Sequence, residues 1–338
     1  MINTGSATPR LDLLGPILQE GMPEEAYVAH RVLPPLVVQK RFGAIPSFLF
    51  SDAQALSIKH APKTGFARIQ SKLGQENFSC EEAGVEEPLS FEDYEILGRD
   101  YAQEVIARKL AHIVLRARDN ALSQALMSAG GETTFANTLV TAGNTWASAN
   151  GTPQDDVLEA QEKVLLQTGN IADTMLIGWG LYVVLSKNAQ IRSLVKANFG
   201  FGSEKGAAAA NSLIRLDWLA TIFGLKEIIV APGVVDANKE GAANKNLSFI
   251  WPKTYAFVFK KASTQDNVRE VSLGRTFVYD LASTFNDLVT MGAIDALRGM
   301  MMEQYPDPAV NCDVLRAREY IDMQILLAGA GSLIKSVG

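Results

Sequence analysis

The stretch from Asn170 to Phe259 constrains the fold more than any other part of the chain. It begins NIADTMLIGWGLYVVLSKNAQIRSLVKANF, resumes at LIRLDWLATIFGLKEIIVAPGVV, and closes on LSFIWPKTYAFVF. An apolar strand, a helix, a second helix ending in a Phe-Gly turn, another strand and, after a polar loop, one more strand are predicted in that order. Trp179, Trp218 and Trp251 occupy its three apolar elements and read as core aromatics of one domain.

An α/β segment invites a search for a bound ligand. The glycines of Gly200-Phe201-Gly202-Ser203-Glu204-Lys205-Gly206 have the wrong order for a phosphate loop, which needs lysine directly after its second glycine. They also follow a polar helix, where a dinucleotide fingerprint would follow a strand, so a plain loop is predicted. AGAGSLIKS at 328–336 fails similarly, because no helix follows it. His30, His60 and His112 lie in three different elements with no metal-ligand spacing. No GxSxG elbow occurs. The adjacent pairs Glu24–Glu25, Glu81–Glu82 and Glu86–Glu87 read as solvated.

The flanks are unlike those of a compact enzyme. Residues 1–45 carry Pro9, Pro16, Pro23, Pro34 and Pro35, with Pro46 next, which bias the chain towards extended structure. Apolar content such as VLPPLVV favours an arm lying across neighbours over a disordered tail. From Phe48 to Glu87, FARIQ and ENFSCEEAG are predicted as two strands around Ser71–Gln75. The first half is basic through Lys59, His60, Lys63, Arg68 and Lys72; the second is acidic through Glu76, Glu81, Glu82, Glu86 and Glu87. An isolated hairpin is marginal in water, so it needs a surface to lie on.

A long helix follows. Ser90-Phe91-Glu92-Asp93 fits a capping box, and apolar residues recur at helical spacing from Leu97 to Leu126. Gly130-Gly131 is predicted to end it. About 39 residues at about 1.5 Å each give roughly 58 Å, less if Gly98 breaks the first turns, which suits a spine. Thr152 or Pro153 should open a helix over Gln154–Gln167. Thr276–Tyr279, VLRAREYID and MQILLAG are strand candidates, and the Met run at 300–302 reads as an adaptable packing surface.

Composition narrows the class. With 338 residues and 47% hydrophobic content, the chain can build one large domain or two. A net charge of −6 argues against a dedicated nucleic-acid binder, though a wall that encloses DNA without gripping it can be acidic. Two distant cysteines, Cys80 and Cys312, imply no disulfide framework and fit a reducing cytoplasm. No secretory signal and no run approaching the roughly 18–20 apolar residues of a membrane span are present, so a soluble intracellular product is expected.

Taken in order, these pieces resemble the major capsid proteins of tailed phages with the Hong Kong 97-like fold, an α+β architecture, across nearly the whole chain. The resemblance divides the chain into an N-terminal arm (1–45), an extended hairpin loop (46–89), a peripheral domain (90–169 and 272–325, with its spine at 90–129) and an axial domain (170–271). The last strand, within 326–338, would return to the axial domain. It implies a structural protein without catalytic, cofactor or metal sites, self-assembling into hexamers and pentamers of an icosahedral virion shell around double-stranded DNA. It further implies assembly in the host cytoplasm, with portal, scaffolding or decoration proteins as further partners; no scaffolding segment precedes the arm, so scaffolding would be separate or missing. Some family members weld subunits through a lysine–asparagine bond. Lys59, Lys63 and Lys72 lie in the matching loop, but the partner residues are not identifiable and that chemistry is not carried over. Lys59, Lys63, Arg68, Lys72, Glu81 and Glu82 are the candidate inter-subunit contacts, the basic half meeting acidic patches on a neighbour.

Two alternatives stay open. An encapsulin-type compartment, loaded with cargo enzyme, would use the same fold. A cytosolic nucleotide-binding α/β enzyme would explain only the strand–helix alternation at 170–232, and it leaves the arm and charged hairpin without a role.

Overall fold

The protein is described by a computed structural model covering residues 7–13, 26–48, 73–199, 213–236, 238, 246–262, 270–279, 297, 299–309 and 311–338. Lys59, Lys63, Arg68 and Lys72, the segment FARIQ and the glycine-rich 200–206 loop all lie outside the described residues. The first elements are β1 (Thr8–Pro9), α1 (Ala29–Val32), β2 (Pro35–Val38), β3 (Phe42–Phe48), β4 (Leu73–Ser79) and β5 (Glu81–Ser90). Next come α2 (Phe91–Leu97), α3 (Arg99–Leu126), α4 (Ala129–Thr134), β6 (Val140–Thr141) and α5 (Pro153–Thr168). The central segment forms β7 (Thr174–Gly178), α6 (Trp179–Lys187), α7 (Ala189–Phe199), α8 (Leu216–Phe223), β8 (Glu227–Ala231), β9 (Val234–Asp236), β10 (Leu247–Phe249) and β11 (Tyr255–Phe259). Four strands close the chain: β12 (Gly274–Tyr279), β13 (Met300–Asp307), β14 (Cys312–Ile325) and β15 (Gly331–Lys335).

Helix α3 is the spine, 28 residues and therefore about 42 Å long. The capping box forms at the start of α2: the Asp93 N–H donates to Ser90 Oγ at 3.2 Å, and the Ser90 N–H donates to Asp93 Oδ2 at 3.0 Å. Gly98, at φ +79°, then separates α2 from α3. The predicted stop is displaced. The spine ends at Leu126, and Gly130-Gly131 lies inside α4, where Ser128 Oγ accepts the Gly130 N–H at 3.0 Å. Gly131 is needed there for closeness, since a Cβ would run into the Leu126 carbonyl.

The central segment builds a five-stranded sheet in the order β6-β15-β11-β7-β8. β7 and β8 run parallel from Thr174↔Glu227 to Gly178↔Ala231, while β11 is antiparallel to both β7 and β15. Strand alternation sends Met175, Ile177, Ile228, Ala256, Val258 and Ile334 to one face, under the helix layer α5–α8. Leu176, Ile229, Phe257, Phe259 and Leu333 go to the other, against Val28 and Leu33 of the arm and Leu122 and Leu126 of the spine. Of the three tryptophans read as core aromatics, two pack in a core, on opposite faces of the sheet, and one does not. Trp218 packs on the helix side, Trp251 is buried on the spine side, and Trp179 is 39% exposed. The sheet separates them because neighbouring elements feed opposite faces. Trp146, fully buried, fills the helix-side core instead and donates its indole N–H to Asp156 at 2.7 Å.

A six-stranded sheet has the order β1-β13-β14-β12-β2, with β5 on the other side of β14. VLRAREYID and MQILLAG, expected as two strands, form one: β14 runs unbroken through Asp322 and Met323. It is shared lengthwise, pairing β13 over Cys312–Glu319, β12 over Ile321–Ile325 and β5 over Cys312–Ile321. Of the expected hairpin, the FARIQ strand lies outside the described residues, and the acidic half is placed differently from expectation. β4 pairs with β3 (Phe42↔Ser79 to Phe48↔Leu73), and the acidic run continues as β5 inside the sheet. The switch occurs at buried Cys80, whose N–H donates to the Arg41 carbonyl at 2.8 Å. Met300 and Met302, on β13, are buried against the spine residues Leu110, Val114 and Leu115.

Candidate functional site

The spine's buried face carries four polar residues among its apolar ones, and each bonds to a segment outside the helix. Gln103 accepts a hydrogen bond from Arg10 of the arm at 3.0 Å. Arg118 donates from Nε to Glu319 of β14 at 2.9 Å, both side chains being buried. Ser123 donates to the Ile250 carbonyl at 2.8 Å. Asp119 joins three segments: it accepts the Val28 N–H at 3.1 Å, the Ala29 N–H at 2.8 Å and the Trp251 indole N–H at 3.4 Å. Burial pushes its carboxyl up to about 6, against the pull of those donors and of Arg118. The spine is thus fastened to the arm, to the six-stranded sheet and to the segment leading into β11.

Two further carboxylates lock the strand ends. Asp173, just before β7, accepts from Lys260 Nζ at 2.7 Å and from the Lys261 N–H at 3.1 Å. Glu227, opening β8, binds Arg31 of α1 at 2.6 Å and Lys261 at 2.8 Å. Burial raises both carboxyls, but their cations outweigh it and hold both below the usual range.

Of the sequence candidates, Glu81 and Glu82 are placed on β5, opposite Ile321 and Tyr320 of β14, and both are exposed. Glu82 lies 3.5 Å from Arg318, which also binds Glu303 at 2.5 Å. Glu81 lines a groove of about 700 Å³ between the spine and β14, together with Glu76, Asp322, Leu122 and Met323. The structure brings Glu76, Glu81 and Asp322 to this groove, and Glu82 does not line it. Arg41, just before β3, stacks on the Tyr320 ring at 4.4 Å.

Large apolar side chains remain open to solvent on several elements. Ile96 (78% exposed), Tyr101 and Val105 mark the start of the spine, and Leu166 (75%), Leu158 and Leu165 mark α5. Exposed patches of this kind mark association surfaces when they are contiguous. Among the described residues no group of three or more His, Cys, Asp or Glu could hold a metal ion. His112 makes a 2.9 Å contact from Nδ1 to the Tyr27 hydroxyl, and burial pushes the Cys80 thiol up to about 11. Among the described residues no helix is long and apolar enough to cross a membrane.

Sequence reasoning missed Arg118, Asp119 and Trp146. The first two had one legible signal, a charged pair set between Val114–Leu115 and Leu122 on the helix's apolar stripe.

No family model matches the sequence, and no curated protein matches it. Solved structures do. A phage-related protein from Bordetella bronchiseptica superposes at a TM-score of 0.67, with 15% identity, over 98% of this chain and 98% of that one. A virus-like particle from Pyrococcus furiosus gives 0.52, with 11% identity, over 96% and 99%. The capsid structure of a cyanophage gives 0.52, with 11% identity, over 90% and 86%. The chain has the α+β fold of these three structures, one of them a phage capsid.

Proposed function

We propose that this protein is the structural major capsid protein of a tailed double-stranded DNA phage, assembling in the host cytoplasm into the hexamers and pentamers of an icosahedral virion shell. The observation that carries this reading is likeness to a virus-like particle and to a phage capsid structure over 96% and 90% of the chain. The architecture gives that likeness a physical sense. Two sheets are fastened to one spine through buried Asp119, Arg118 and Ser123, which makes a stiff plate. Elements that a lone chain leaves open to water, such as Ile96, Leu166 and Phe42, gain stability when neighbours cover them. Heterologous contacts around an axis then close into rings.

The arm (1–45), extended loop (46–89), peripheral domain (90–169 and 272–325), and axial domain (170–271, with 326–338) belong to the same proposal. So do the contacts of Lys59, Lys63, Arg68 and Lys72 with a neighbour's acidic surface, for which the Glu76–Glu81–Asp322 margin is the complement. Replacing Arg68→Glu should lower particle yield and salt resistance; unchanged particles would remove that contact. A shell of this fold could instead enclose cargo, and the virus-like-particle neighbour keeps that second reading. Nuclease treatment of purified particles separates the two. Protected DNA supports a genome container, and nucleic-acid-free particles carrying a co-purifying enzyme contradict it.

A further inference from the structure

We infer that the outer face of α5 is a docking surface for the α6–α8 side of a second copy of this chain, a head-to-tail contact that rests on the shell function proposed above. The buried face of α5 is set by Val157, Ala160 and Val164. On the opposite face stand Leu158 (49% exposed), Leu165 (40%) and Leu166 (75%), with exposed Asp155, Glu159 and Glu162 between them. Lys163 stands at the margin, 2.8 Å from Glu159. This face is apolar and acidic at once.

The complementary surface is in the same helix layer. Lys187, Lys196 and Arg215 on or beside α6–α8 are exposed, as are Trp179 (39%) and Leu213 (41%). Arg215 lies over the Trp218 ring at 5.7 Å and 3.3 Å from Asp217, the one acid among the described residues of that group. α5 packs over β15, β11 and β6, whereas α8 packs on β8 and α6 on β7 and β8. In the strand order β6-β15-β11-β7-β8 these are different halves of the sheet, with α5 packed against α7 and α8 where the halves meet. Folding α5 against α5 would set three acids against three, so a two-fold contact is disfavoured. Acid against base on two different faces of one chain gives a contact that propagates from copy to copy. High salt should weaken it, because the screening length falls from about 8 Å at 0.15 M to about 3 Å at 1 M.

The test is charge reversal with rescue, read as the protein concentration needed for sedimenting assemblies. All four positions are exposed, so thermal melting by circular dichroism should stay at the wild-type value. Glu159→Lys with Glu162→Lys should raise the required concentration by about tenfold or more, as should Lys196→Glu with Arg215→Glu. The four changes together should return it towards wild type. Either double variant assembling like wild type, or a well-folded quadruple variant that does not recover, would overturn the contact. A wild-type chain that never leaves the monomer would instead overturn the shell function itself.

Discussion

Replacing Asp119→Asn should flatten the protein's stability between pH 5 and 7.5. The native carboxyl titrates at about 6 in place of 3.8, because burial outweighs the Val28, Ala29 and Trp251 N–H groups. A raised native value means that the folded state holds its proton where the unfolded chain has lost it. Stability from this group is therefore fully present below about pH 4 and declines as pH rises through about 6. At about 1.4 kcal/mol per unit the total decline is ~3 kcal/mol. Asparagine has nearly the same shape, and its Oδ1 can keep the two backbone donors, which lie 3.1 and 2.8 Å from Oδ1 in the native residue. Its amide would face the Trp251 N–H, donor to donor, at a cost of ~1–3 kcal/mol. The two effects nearly cancel near pH 7.5, so the variant should match wild type there and fall below it at pH 5. Asp119→Ala leaves all three donors unpaired and should lose ~3–5 kcal/mol, exposing the chain around Val28 to protease. The assay is denaturant unfolding of the unassembled subunit across this pH range. An Asp119→Asn variant that keeps the wild-type pH slope would refute the assignment of that titration to Asp119.

Other perturbations test the fastenings around it. Arg118→Met strands buried Glu319 and should destabilise the subunit by ~3–5 kcal/mol, whereas adding Glu319→Leu should recover most of the loss in the same unfolding assay. Gly331→Ala places a Cβ 2.5 Å from the Phe257 ring and 3.0 Å from Leu273, so ~1–3 kcal/mol and several degrees of melting temperature should be lost.

Local signals were legible in the sequence and long-range ones were not. The Ser90 capping box, the Pro153 helix start and the apolar strands at Thr174–Gly178 and Tyr255–Phe259 depend on neighbours along the chain. The spine's end was misplaced because Gly130-Gly131 looks like a stop, while the observed break at Met127 starts a second short helix capped by Ser128. The acidic strand β5 was read as half of a projecting hairpin. Its partner β14 lies more than two hundred residues later, and nothing near Glu81 specifies it. The same holds for the spine's polar anchors. Asp119 finds Val28 and Trp251 only after folding, so its side chain looks like a helix-surface acid until the sheet is assembled above it. Trp218 and Trp251 are near in sequence, but α8 covers one face of the sheet and the turn before β11 lies on the other, so they pack on different sides.

The central claim concerns assembly, and the mass of the purified protein's largest stable species measures it most directly. Size-exclusion chromatography with light scattering, followed by negative-stain imaging of the same fractions, should find closed shells built from rings of this chain. A monomer or small oligomer, with no shells under any salt, pH or concentration that keeps it folded, would contradict a capsid role.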